Sequence, residues 1–232
     1  MDASAICFDA TGTLIQTAEP VGVVYRRVAL EYGVNLPAWR IEDAFRRILA
    51  RAPARGTDGE DFETRSANEF EWWSERIRET FQATDSTARF DDFPAFAAAL
   101  FETYRSSSAW QRRPGAAAML EQLRNRGHSL AIVSNFDHRL PEILKGLEIA
   151  SLFDLIIIPA TVGRTKPDRV IFEAAAEFFS LPLDALSYVG DDAPETLESI
   201  ETLGVHVVDM EQIEDLRELP DRLAKVATLP PR

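Results

Sequence analysis

Hydrophobic and polar positions divide the chain into two kinds of pattern. From about residue 17 to residue 107, apolar side chains recur three or four positions apart, and hardly any stretch alternates as a strand would. This spacing predicts helices in the segments 19–34, 39–52, 68–81 and 91–105. We therefore expect an all-helical domain over residues 17–107.

Beyond about residue 112, short apolar runs alternate with amphipathic segments. Runs such as Ser129–Ser134 and Leu186–Gly190 are each followed by a helical pattern, which predicts βαβ units and a parallel sheet. The run Ala5–Phe8 is a further strand of the same type. We expect an α/β core with a doubly wound, Rossmann-like parallel sheet, built from residues 1–16 and 108–232, with the helical domain inserted after the first strand.

The overall charge narrows the range of partners. The chain has 232 residues, with 25 Lys and Arg against 38 Asp and Glu, which gives a formal charge of −13. Such an acidic chain repels the phosphates of nucleic acids and anionic lipid surfaces, so we expect neither as a partner. A small anionic substrate remains possible, because a local site can oppose the overall field. The oligomeric state is left open by the sequence.

Cysteine content and the N-terminal pattern bear on location. Cys7 is the single cysteine, so the chain forms no internal disulfide and no cysteine-based metal site. The opening "MDASAICFDA" lacks the basic start of a signal peptide, and the apolar run Leu155–Ile158 is far too short to span a bilayer. We expect a cytoplasmic protein.

Polar residues follow four of the predicted strands. In chain order they are Asp9, then Ser134 with Asn135, then Lys166, then Asp191 with Asp192 and Glu195. The carboxyl ends of neighbouring parallel strands share one crevice, which is where such sheets bind ligands. The sequence therefore predicts that these side chains converge on one site.

A cluster of carboxylates needs positive charge nearby. Two like charges about 4 Å apart cost roughly 4 kcal/mol at an effective dielectric near 20. Lys166 supplies one cation, and Mg²⁺ suits a site with few carboxylates because it keeps waters and a substrate phosphate as its other ligands. Ser134, the Asn135 backbone and Lys166 would cradle an anionic group, which leaves Asp9 as a nucleophile able to attack phosphorus.

Each of these motifs alone is ordinary turn or helix-cap chemistry, but the four in order are specific. "DATGTL" at Asp9–Leu14, "VSN" at Val133–Asn135, "GRTKPD" at Gly163–Asp168 and "GDDAPE" at Gly190–Glu195 resemble the haloacid dehalogenase-like (HAD) superfamily. The resemblance covers nearly the whole chain and fits the subgroup whose helical cap is inserted after the first motif.

The resemblance implies a role for each motif. Asp9 would be the nucleophile, and Mg²⁺ would bind Asp9, Asp191 and the backbone carbonyl of Thr11. The phosphoryl group would be held by Ser134, Asn135, Lys166, Gly12 and Thr13. Whether Asp192 or Glu195 completes the metal shell is left open. The substrate would be a small phosphorylated metabolite, selected by the cap.

Position 11 departs from the family pattern. Phosphatases of this family have a second Asp two residues after the nucleophile, and it protonates the leaving group and later activates water. Thr11 can do neither at neutral pH. General acid–base catalysis contributes about 10²–10⁴-fold, so Thr11 predicts a slow hydrolase or one whose substrate has a good leaving group.

The sequence leaves two other functions open. A catalytically silent protein that keeps the fold and phosphate pocket would bind a ligand without turnover. A dehalogenase would use the same Asp nucleophile on carbon without a metal. The acidic cluster of Asp191, Asp192 and Glu195 argues against the dehalogenase, because those carboxylates would repel an acid substrate if no cation were present.

Overall fold

We analysed a computed structural model, which describes residues 4–53, 55, 59, 61–213 and 215–226. The chain divides into two compact units. The first comprises Met1–Gln16, Arg112–Asp137 and Leu147–Arg232, and the second comprises Thr17–Gln111 and His138–Gly146.

The first unit contains a five-stranded sheet in which all neighbouring strands are parallel, in the order β5-β4-β1-β6-β7. A separate two-stranded sheet pairs β2 with β3. The strands are β1 Ala5–Phe8, β2 Ile15–Thr17, β3 Trp110–Arg112, β4 Ser129–Val133, β5 Leu155–Ile157, β6 Leu186–Gly190 and β7 His206–Asp209. The predicted strands are therefore present, with β1 in the middle.

Helices fill most of the remaining described residues. They are α1 Val21–Glu31, α2 Ala38–Arg51, α3 Phe62–Thr84, α4 Phe93–Thr103, α5 Ala116–Asn125, α6 Leu140–Gly146, α7 Pro159–Val162, α8 Arg169–Phe179, α9 Pro194–Thr202 and α10 Leu219–Val226. No helix among them is both long and apolar enough to cross a bilayer. The sequence pattern did not single out α5 or the short α7.

The core of the first unit explains why its strands consist of continuous apolar runs in the sequence. Both faces of the central strand β1 are buried, as expected when helices cover a parallel sheet. On one face Cys7, Val133 and Tyr188 pack with Phe172 of α8 and Ile200 of α9. The observed parallel register determines which residues reach the carboxyl edge of the sheet.

The second unit is built from α1 to α4 together with α6. Asp61 and Asp92 begin α3 and α4, where their side chains accept hydrogen bonds from the backbone of Thr64 and Ala95. Pro94 lies in the first turn of α4, where proline is tolerated because its missing N–H would have no partner within the helix. An aromatic core joins Tyr25, Phe81 and Phe96, with ring centroids 6.2 Å and 5.2 Å apart along this series. The composition of residues 55–61 predicts a loop, and most of this segment lies outside the described residues.

The unit boundaries differ from the expected ones at two places. Residues 108–111 and 138–146 group with the helical unit, although the sequence pattern placed them in the α/β core. The backbone N–H of His138 donates to Glu69 of α3 at 2.9 Å, and Arg139 donates to the carbonyl of Phe101 at 2.8 Å. Periodicity predicts that α6 is a helix, but these long-range bonds decide which unit it joins.

Candidate active site

A tight turn follows β1 and presents Asp9 at the carboxyl edge of the sheet. The backbone N–H of Asp9 continues the sheet pairing by donating to Val189 at 2.9 Å, and the chain then folds back, with Leu14 N–H donating to Ala10 at 2.8 Å. Gly12 has φ +84°, and a Cβ there would lie 1.8 Å from Oδ2 of Asp191. The small, polar sequence after Asp9 is therefore required by this turn and by the approach of Asp191.

Lys166 is buried against Asp9. Its Nζ lies 2.8 Å from Asp9 Oδ1 and 2.9 Å from Asp192 Oδ1, and it also donates to the hydroxyl of Tyr188. Lys166 is 5% exposed and Asp9 is 8% exposed, so solvent screens the pair only weakly. Burial alone would lower the pKa of Lys166, but the charges of Asp9 and Asp192 outweigh it and raise that pKa. Lys166 is thus a permanent cation beside the nucleophile candidate.

Asn135 positions the Lys166 backbone. Its Oδ1 accepts from Lys166 N–H at 2.7 Å, and its Nδ2 donates to the Lys166 carbonyl at 3.1 Å. Ser134 is 2% exposed at the end of β4, and its backbone N–H donates to Ile157 at 3.1 Å. The predicted Ser134, Asn135 and Lys166 are therefore brought together, with the Asn135 side chain turned towards Lys166.

The two consecutive aspartates after β6 have different surroundings. The Asp191 carboxylate lies against Gly12 and accepts from Thr13 Oγ1 at 3.0 Å, whereas Asp192 pairs with Lys166. Asp191 is exposed as a residue, yet partial loss of solvation of its carboxylate and the charge of Asp9 raise its pKa. Asp192 thus has Lys166 as a counter-ion, whereas the Asp191 carboxylate is bonded by Thr13 and faces the charge of Asp9.

The remaining predicted site residues are Thr11, Thr13 and Glu195. Thr13 is fully buried and engaged with Asp191, while Thr11 is exposed and forms an isolated bridge with Ile15. Glu195 is exposed in the first turn of α9. Their roles in catalysis, phosphate binding or metal binding stay predictions.

Two residues at the site were missed by the sequence interpretation. The sequence pattern indicates Tyr188 only as a strand residue. A buried tyrosine hydroxyl usually has a hydrogen-bond partner, so a tyrosine in a buried strand could have indicated a polar contact there. Arg113 donates to the carbonyl of Gly12, in the turn after Asp9. Nothing in the local sequence indicated that contact, because it joins residues 101 positions apart.

Comparison with known proteins identifies the family of this chain. A model of the haloacid dehalogenase-like hydrolases matches residues 3–204. The chain belongs to this family. It is 31% identical over 201 residues to "haloacid dehalogenase-like hydrolase domain-containing protein 3" of Mus musculus, a match that covers 87% of this chain and 79% of the mouse protein.

Solved structures of the family share the fold. A defluorinating L-2-haloacid dehalogenase aligns with a TM-score of 0.72 and 17% identity, over 96% of this chain and 95% of that chain. A HAD phosphatase from Thermococcus onnurineus aligns with a TM-score of 0.63 and 21% identity, over 95% of this chain and 97% of that chain. The predicted α/β class with a parallel sheet is confirmed, while identities this low carry no information on the reaction.

The residues at this HAD site are compatible with Mg²⁺. Among the described residues, no three His, Cys, Asp or Glu side chains form a metal-binding group. Mg²⁺ does not need such a group, because it is usually bound by one or two carboxylates together with waters and substrate oxygens. Asp9 and Asp191 are close enough for Asp9 to raise the Asp191 pKa, and both carboxylates consist of the hard oxygen ligands that Mg²⁺ prefers.

Proposed function

We propose that this HAD-like hydrolase is a Mg²⁺-dependent phosphatase that forms an aspartyl-phosphate on Asp9. The main support is the buried Asp9–Lys166 pair, whose charged atoms are 2.8 Å apart at the end of the central strand. The Lys166 ammonium is the counter-ion of the Asp9 carboxylate, which is the group proposed to attack as a nucleophile. Asp9 and Asp192 pair with this ammonium, and the Asp191 carboxylate lies near Asp9. Three carboxylates against the two cations Lys166 and Arg113 leave an excess of negative charge that favours a bound cation.

The proposed chemistry uses two displacements at phosphorus. Lys166 holds Oδ1 of Asp9, so we assign the attack to Oδ2. An Asp9–phosphorus bond forms as the ester oxygen leaves, and the departing oxygen takes its proton from water because Thr11 has none to give at neutral pH. Water then attacks phosphorus, which releases inorganic phosphate and regenerates the Asp9 carboxylate. When bound, Mg²⁺ would neutralise phosphoryl charge during both displacements.

The substrate class follows from the same residues. Ser134 and Lys166 are buried at the carboxyl edge of the sheet. Ser134 provides a hydroxyl, and the charge of Lys166 attracts an anionic oxygen although its N–H donors are engaged by protein groups. A small phosphorylated metabolite suits this pair. The absence of an acid at position 11 favours a substrate whose leaving group has a low pKa, since such a group departs without being protonated.

The first experiment is p-nitrophenol release from p-nitrophenyl phosphate, measured with Mg²⁺ and with EDTA. This leaving group hardly needs protonation, so Thr11 should limit it least. We expect release that requires Mg²⁺, disappears in Asp9→Asn and persists in Asp184→Asn, which removes an exposed aspartate of the same unit.

Other outcomes would identify the alternatives. Binding of inorganic phosphate without any turnover, in folded protein, would indicate a catalytically silent relative. Halide release from a 2-haloacid in EDTA would indicate a dehalogenase instead. Turnover that survives in Asp9→Asn would exclude Asp9 as the nucleophile.

A further inference from the structure

The ring and the hydroxyl of Tyr188 lie in two different environments. Its ring is fully buried in the core of the first unit, where it packs edge-on against Phe172 with centroids 5.5 Å apart. Its hydroxyl reaches the charged cluster at the carboxyl edge of the sheet. A phenylalanine would fill the same core, so the contribution of the hydroxyl can be separated from that of the ring.

The hydroxyl closes a ring of three hydrogen bonds. It accepts from Lys166 Nζ and donates to Asp192 Oδ2, while Lys166 Nζ also donates to Asp192, with Nζ–Oδ2 at 3.0 Å. Gly190 makes room for this ring of contacts, because a Cβ at that position would lie 2.7 Å from the Tyr188 hydroxyl and 2.8 Å from Asp192 Oδ2. The arrangement is thus closely packed as well as hydrogen-bonded.

This ring of three hydrogen bonds determines which acceptor the third N–H of Lys166 can reach. An ammonium has three N–H donors. Tyr188 and Asp192 engage two of them, and the third reaches Asp9 Oδ1 at 2.8 Å. Without the hydroxyl, one buried N–H would lose its acceptor and Asp192 would lose a donor, so both side chains would be free to turn away from their present positions.

We propose that Tyr188 is a positioning residue, whose hydroxyl orients Lys166 towards Asp9 and keeps Asp192 as the counter-ion of Lys166. The catalytic part of this inference rests on the proposed phosphatase function, while the positioning of Lys166 can be observed without turnover. Tyr188 itself touches neither the substrate nor phosphorus in this mechanism. It acts through Lys166.

The test compares Tyr188→Phe with Tyr104→Phe. Tyr104 provides a matched control, because its hydroxyl is buried in the second unit and has no hydrogen-bond partner among the described residues. With p-nitrophenyl phosphate and Mg²⁺, we expect kcat of Tyr188→Phe to fall about tenfold or more while KM changes less than about threefold. Tyr104→Phe should keep both values. An unchanged kcat in folded Tyr188→Phe would overturn the proposal.

A second measurement separates this inference from the proposed function. The chain has three lysines, Lys145, Lys166 and Lys225, so ammonium signals of protein labelled with ¹⁵N-lysine can be assigned with a Lys166→Arg variant. We expect the Lys166 ammonium to be protected from exchange in the wild type and in Tyr104→Phe, and to lose that protection in Tyr188→Phe. Protection that persists in Tyr188→Phe overturns the proposal. Loss of protection in a protein without turnover would support positioning and refute only the phosphatase function.

Discussion

Asn135 holds the backbone of Lys166 at both its N–H and its carbonyl, through bonds of 2.7 Å and 3.1 Å. The two residues follow different strands and are 31 positions apart, yet one amide side chain fixes the segment that carries the buried ammonium. An amide suits both bonds, because its oxygen accepts and its nitrogen donates.

Asn135→Asp should therefore disturb Lys166 while keeping the size of the side chain. The new carboxylate oxygen would face the Lys166 carbonyl, so one bond becomes a repulsion. We expect a loss of about 1–3 kcal/mol in the free energy of unfolding, with a fall in kcat. Urea denaturation and steady-state kinetics measure these effects. Asn125→Asp, an exposed change of the same charge at the end of α5, should cost much less. Equal effects of the two variants would contradict the positioning role of Asn135.

Thr11→Asp should raise turnover on substrates with poor leaving groups. Thr11 is exposed, so a carboxyl group can replace it without entering the core. A positioned acid contributes about 10²–10⁴-fold, and we expect part of that gain with alkyl phosphates and little with p-nitrophenyl phosphate. Thr11→Asn is the matched control, since it has nearly the shape of Asp and no proton to transfer. A gain shared by Asn and Asp would show that proton transfer is not the limitation.

The convergence of the site residues could be predicted because it follows from two simple rules. Apolar runs that alternate with helical patterns predict a parallel sheet, and the carboxyl ends of its strands share one edge. These two rules alone predict that four residues lie close together, namely Asp9, Ser134, Lys166 and Asp191. The β2–β3 pair was not predictable in the same way, because a strand of three residues has too few positions to show a period.

The different contacts of Asp191 and Asp192 could not be predicted from the sequence pattern. The two are adjacent in the sequence and chemically identical, so local composition cannot distinguish them. The distinction arises from contacts made by distant residues, namely Thr13 with Asp191, and Lys166 and Tyr188 with Asp192. The same holds for α6, whose place in the helical unit depends on Glu69 and Phe101 rather than on its own periodicity.

Asp191→Asn and Asp192→Asn should have different effects on Mg²⁺. We expect Asp191→Asn to weaken Mg²⁺ binding by more than about tenfold in calorimetry, and Asp192→Asn to leave that affinity within a few-fold while lowering kcat. The second loss would occur because Lys166 loses its counter-ion. Equal losses of Mg²⁺ affinity would place both aspartates in the metal shell, and a loss only in Asp192→Asn would reverse the assignment.

Metal-free Asp191→Asn offers a further check through stability. The Asp191 pKa is higher in the folded protein than its ordinary value, so its ionised form is disfavoured in the fold at any pH above that pKa. Removal of the charge should therefore keep or raise the thermal midpoint at pH 7 in EDTA. A marked fall in the midpoint would show that the Asp191 charge stabilises the fold and would contradict its repulsion by Asp9.

Cys7 should report on the integrity of β1, which leads to Asp9. Burial raises the pKa of its thiol from 9.0 to about 12. Because the thiolate is the reactive form, we expect native protein to resist a disulfide reagent at pH 8, and unfolded protein to react at its single cysteine. Native protein that reacts rapidly at pH 8, without denaturant, would show that β1 opens readily.

The same pKa difference predicts a pH dependence of stability. The folded-state pKa of Cys7 is above its unfolded value, so its contribution is fully present below about pH 9 and is lost progressively as the pH rises from there towards 12. Tyr and Lys also titrate in this range, so the wild type must be compared with Cys7→Ala by urea denaturation between about pH 8 and pH 10.5. We expect the wild type to lose more stability than Cys7→Ala over this interval. Parallel curves would contradict this prediction, because they would mean that the pKa of Cys7 is the same in the folded and unfolded chains.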